Sequence, residues 1–64
     1  MWVVVSIMKD RAAALRAQEI LQKEGLLVEL RPVARKKGTG IYEILVLESE
    51  ALEAREILAE RGMA

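Results

Sequence analysis

The stretch LLVELRPVARKKGTGIYEILVL, Leu26 to Leu47, decides the fold. Its first part alternates, with Leu26, Val28, Leu30 and Pro32 on one side and Leu27, Glu29, Arg31 and Val33 on the other. A period of two belongs to a strand with one buried face. Ala34 to Gly40 is polar and carries two glycines, the composition of a hairpin connection, and Ile41 to Leu47 is a second extended run. Strands joined by so short a connection pair antiparallel. Pro32 has no N–H to give to a ladder, so the first of these strands is expected at an edge and the second in the middle.

Outward from this hairpin, Trp2 to Met8 is a largely β-branched run that ends at Lys9 and Asp10, and it supplies a third strand. Asp10 is placed to N-cap a helix in which Ala13, Ala14, Ala17, Ile20, Leu21 and Glu24 recur at helical spacing. Gly25 follows as its left-handed stop. Ser49 is expected to cap a second helix that runs to about Arg61 and ends at Gly62. The two helices repeat one another: ALRAQEILQKEG from Ala14 and ALEAREILAERG from Ala51 share seven of twelve positions. Duplication of a unit and convergence of good helix formers both account for the match. The order β-α-β-β-α, with a right-handed crossover after the first strand, predicts an α+β domain spanning residues 1–64. Its three strands lie in the order one, three, two, with both helices on one face.

A chain of 64 residues and 7.2 kDa allows one small core. Area scaling gives about 10,400 Å² unfolded and about 4,100 Å² folded. If six-tenths of the difference is apolar, burial contributes about 95 kcal/mol against about 96 kcal/mol of ordering entropy. With a margin near zero, further buried surface from a partner matters. Ten Lys and Arg balance ten Asp and Glu, so no net charge steers the molecule to nucleic acid or an anionic membrane. With no Cys and no His, disulfides, thiolate nucleophiles and imidazole bases are excluded. The apolar run Trp2 to Met8 is far shorter than a membrane span, and 53% hydrophobic residues exclude intrinsic disorder. A cytoplasmic, soluble protein is expected.

Alternation assigns Val3, Val5, Ile7, Val28, Leu30, Ile44 and Val46 to the helices. The open side then receives Trp2, Val4, Ser6, Met8, Leu27, Glu29, Arg31, Ile41, Glu43, Leu45 and Leu47. Of these eleven, Trp2, Val4, Met8, Leu27, Ile41, Leu45 and Leu47 are large and apolar, and they form the candidate interface. The first strand, uncharged along its length, is a second candidate as an open edge. Leu15 and Leu52 fall off the core stripes of their helices.

The hairpin concentrates Arg31, Arg35, Lys36 and Lys37 beside Gly38, Thr39 and Gly40, and Arg31, Arg35, Lys36, Lys37 and Thr39 are candidate anion ligands. The glycine spacing is neither a P-loop nor a dinucleotide fingerprint. An RNA-binding sheet needs stacked aromatics, and Trp2 and Tyr42, the only two, are expected on opposite faces. Glu43, Glu48, Glu50 and Glu53 suit the start of a helix and make no catalytic pair. The expectation is a non-enzymatic regulatory or protein-interaction module. It is expected as a homodimer, with another protein as a further kind of partner, and without cofactor, metal, membrane or nucleic acid. The alternative is a small anion- or nucleotide-binding module that uses the basic hairpin, which a nucleotide and oligonucleotide titration distinguishes.

The strings EILVLESEALEAREILAERG, Glu43 to Gly62, and EILQKEGLLVELRP, Glu19 to Pro32, resemble a small βαββα family of prokaryotic signal-transducing proteins. The shared marks are a helix ending Leu-x-x-x-Gly before an extended strand, a short Val-bearing strand followed by acids, and a last helix with Ala-x-x-x-Leu spacing. Leu47 stands where that family often has Pro. The resemblance implies a bacterial protein with a ferredoxin-like or PII-like arrangement and without demonstrated catalysis, and leaves the ligand open. SPOR domains share the element order and bind glycan on the open sheet, but they close the sheet with a fourth strand that this sequence lacks.

Overall fold

The computed structural model describes residues 1–33 and 40–63. Its elements are β1 (Trp2–Met8), α1 (Arg11–Lys23), β2 (Val28–Pro32), β3 (Tyr42–Leu47), a 3-10 turn (Glu48–Glu50) and α2 (Ala51–Glu60). The three strands form one antiparallel sheet in the order β1-β3-β2, with both helices packed on one face. This is an α+β fold consistent with a small ferredoxin-like βαββα arrangement, as the sequence predicts.

The repeated helical strings have equivalent roles. Ala14, Ala17 and Leu21 of α1 and Ala51, Ala54 and Leu58 of α2 are buried, while Leu15 and Leu52 are exposed at matching positions. The small alanines let both helices come close to the central strand, where Ile44 and Val46 are fully buried. Each helix ends in the same way. Gly25 and Gly62 adopt positive φ, 89° and 71°. The N–H groups of Gly25 and Gly62 donate to the carbonyls of Gln22 and Ala59, and those of Leu26 and Met63 to Leu21 and Leu58. These are paired Schellman motifs, and in both the residue after the glycine folds back onto the core. At the other end of α1, Asp10 Oδ1 accepts the Ala13 N–H at 2.7 Å, the expected N-cap.

Two expectations need correction. β1 pairs Val4 with Leu45 but Ser6 with Ile44, so Val5 has no partner opposite it and forms a β-bulge. Past the bulge every side chain changes face. Ser6 and Met8 turn toward the helices and Ile7 to the open side. Met8 is accordingly 7% exposed and part of the core, and Ile7 is 60% exposed. Met8 is therefore no interface residue of the open face. Ser49 is not a cap: it lies inside the 3-10 turn that leads directly into α2, and Glu50 occupies the N-cap position without a side-chain bond to the helix. The Glu50 carboxylate instead accepts the Leu27 N–H in a long 3.4 Å contact, tying the start of α2 to the start of β2.

A Cβ on Gly25 would meet nothing within 4 Å, so only the backbone conformation opposes a side chain there. Gly25→Ala is therefore expected to lower unfolding stability by about 1 kcal/mol, read as an earlier denaturation midpoint with unchanged slope. An unchanged midpoint would show that the left-handed conformation carries no penalty.

Candidate interaction face

The register sets the open face out in rows. The antiparallel pairs place Trp2 beside Leu47, Val4 beside Leu45 and Glu29, and Ile7 beside Glu43 and Arg31. Alternation adds Leu27 next to Leu47 at one end. At the other end the Val33 N–H donates to the Ile41 carbonyl at 3.0 Å and continues the two strands by one residue each. Trp2, Val4, Leu27, Ile41, Leu45 and Leu47, six of the expected interface residues, thus share one face, and Ile7 joins them in place of Met8.

Trp2 is 39% exposed, and Ile7, Leu27 and Val33 are more so. Leu45 is only 4% exposed although it lies outside the cluster beneath the helices. Leu45 is thus the shielded residue of the open face, flanked in its own row by Val4 and Glu29. Across β3 from Ile7, the Arg31 Nε donates to Glu43 Oε1 at 2.7 Å and Nη2 lies 2.6 Å from the same oxygen. The two residues are directly opposite in the ladder, which holds the charges together at little entropic cost. With the Arg31 side chain 60% exposed, water screens the pair and its contribution is about 0–1 kcal/mol.

The two sheet edges are poorly suited to adding a strand. The Val33 N–H points inward to β3, so in β2 the residues at alternate positions, Val28, Leu30 and Pro32, direct their backbone groups outward. Pro32 offers no donor there. On β1 the Met1 carbonyl accepts the Glu48 N–H at 2.8 Å, which sets the outward positions at Trp2 and Val4. The bulge at Val5 then moves the next outward position to Ile7 and breaks the regular spacing that a pairing strand needs.

Of the candidate anion ligands, Arg31 is engaged by Glu43, and Arg35, Lys36, Lys37 and Thr39 lie outside the described residues. Gly40 approaches the start of α1, where a Cβ on it would stand 3.8 Å from the Arg11 nitrogen. At that end a cleft of about 390 Å³, open to solvent, is lined by Met8, Lys9, Asp10, Ala13, Arg16 and Met63 among others. Its one carboxylate, Asp10, is committed to capping α1. Among the described residues no cluster of acidic side chains is arranged to hold a metal ion, and no helix is long and apolar enough to cross a membrane. Trp2 and Tyr42 do fall on opposite faces, Tyr42 packing against the core.

The strand pattern misses Ile7 on the candidate face, and the sequence carries no signal for it: polar Ser6 fits the open side, yet the bulge turns it toward the helices. No family model, curated protein or solved structure matches this chain.

Arg31→Ala removes a screened pair on an exposed surface, so unfolding stability should fall by no more than about 1 kcal/mol. Chemical denaturation checks this, and a loss several times larger would mean that the pair supports the sheet itself.

Proposed function

We propose that the chain is a non-enzymatic, cytoplasmic regulatory or protein-interaction module that self-associates through the open face of its sheet. The observation that carries the reading is the apolar array of Trp2, Val4, Ile7, Leu27 and Leu47 around an already shielded Leu45. A contiguous apolar surface of this kind marks an association site. In a domain whose own core is small, covering it contributes a large share of the total stability.

Two features favour the face over an edge. Pro32 withholds a donor on the β2 side, and the Val5 bulge breaks the spacing of free backbone groups on the β1 side. A second copy is the occupant because the face carries both apolar and oppositely charged side chains, Glu29 and Arg31 among them, and so is self-complementary in character. The resemblance of residues 19–32 and 43–62 to the small βαββα family of prokaryotic signal-transducing proteins supports a regulatory role.

Sedimentation velocity at tens of micromolar should give a dimer. Val4→Lys sets a charge against the buried contact and should shift the protein to monomer, while Leu52→Lys, on the helix side, should leave the dimer intact. A wild-type monomer at that concentration, or equal effects of the two substitutions, would overturn the reading.

A further inference from the structure

On β2 and its one-residue extensions, the side chains of the open face run Leu27, Glu29, Arg31, Val33: apolar, acid, base, apolar. This order is antisymmetric in charge about Leu30, whose own side chain turns to the core. We infer that two copies stack face to face with their strands antiparallel, about a two-fold axis that lies between the sheets, perpendicular to the strands, and crosses β2 at Leu30. The inference rests on the face association proposed above and adds its geometry.

The axis lays β2 of one copy over β2 of the other in the opposite direction. Glu29 then meets the second copy's Arg31 and Arg31 meets the second copy's Glu29, while Leu27 meets Val33 at each end. Aligned sheets pack about 10 Å apart with their strands within about 30°, a gap that a glutamate and an arginine reaching from opposite sides can bridge. Both groups have capacity to spare. Glu29 has no ion pair among the described residues. Arg31 gives Nε and Nη2 to a single oxygen of Glu43, which leaves Nη1 and its donors for another carboxylate. Each Arg31 would sit between Glu43 of its own chain and Glu29 of the other copy, two such clusters flanking the axis.

The other face-to-face two-fold runs along the strands. It lays β2 over β1, so that Glu29 faces Val4 and Arg31 faces Ile7. That arrangement desolvates Glu29 against an aliphatic side chain with no cation to meet it, and burying an unpaired carboxylate is strongly unfavourable. Charge complementarity therefore selects the antiparallel axis, and the rejected one, by laying β3 over β3, would also oppose Glu43 to the second copy's Glu43.

The test uses single substitutions mixed in pairs. E29K alone opposes Lys to Arg31 twice, and R31E alone opposes Glu to Glu29 twice, so each homodimer should weaken roughly tenfold or more. An equimolar mixture of E29K and R31E restores both cross-pairs and should recover association to within roughly threefold of the wild type. Because R31E also places an acid beside Glu43, a second measurement avoids charge reversal. The chain has no cysteine, so E29C and R31C can be mixed and treated with a short bismaleimide, and the mixed E29C–R31C product should dominate over either homodimer product. Dominant homodimer products, or no recovery in the charge-reversed mixture of folded variants, would overturn this geometry while leaving face association standing. A wild-type monomer, or a dimer indifferent to Val4→Lys, would overturn the face association itself.

Discussion

The burial of Ile44 and Val46 beneath two alanine stripes is the contact on which the rest of the structure depends. Both residues lie on the central strand, both are fully enclosed, and both are covered by helices that approach closely because Ala14, Ala17, Ala51 and Ala54 present so little bulk. Leu21 and Leu58 close the core from the last turn of each helix, and the residue that follows each terminal glycine turns back toward it. Larger residues on those stripes would lift the helices and open voids around the central strand, which a core this small has no second layer to absorb.

A single layer of helices satisfies one face of the sheet and leaves the other to be accounted for. That other face is not a solvated surface of alternating polar residues, the usual complement of a half-buried antiparallel sheet. Its polar side chains cluster at Glu29, Arg31 and Glu43, and apolar residues surround them on both edge strands and the centre. The same bulge that disrupts the outer edge of β1 turns Ile7 onto this face. One local irregularity thus makes the edge less able to recruit a strand and the face more able to recruit a sheet.

The ion pair of Arg31 and Glu43 shows how weak local energetics and association connect. Within one chain the pair is exposed and contributes little. Covered by a second sheet, the same guanidinium would sit in a lower dielectric, where an additional carboxylate partner is worth more and a missing one costs more. In the proposed assembly such a group would contribute little to the folding of the monomer and much to the choice of orientation, which is a matter of specificity more than of raw affinity.

The element order, the strand order, the Asp10 cap and both glycine stops were legible in the sequence because each follows from a local rule: a period, a missing N–H, a short polar side chain, an absent Cβ. Pro32 alone sufficed to put β3 in the middle. The faces of β2 and β3 were legible for the same reason, since their pairing is regular. What only the tertiary structure decided was the face of Ser6, Ile7 and Met8 and the start of α2. A bulge reflects the fit between β1, the central strand and the packed helices, and Ser6, Ile7 and Met8 read identically with it or without it until that fit is known. Ser49 looked like a cap by its type and position, yet the chain tightens into a 3-10 turn there as Glu50 reaches across to Leu27. Local patterns specify which residues share a period; the sheet's pairing specifies where that period breaks, because a one-residue slip preserves every local preference and reverses every side chain.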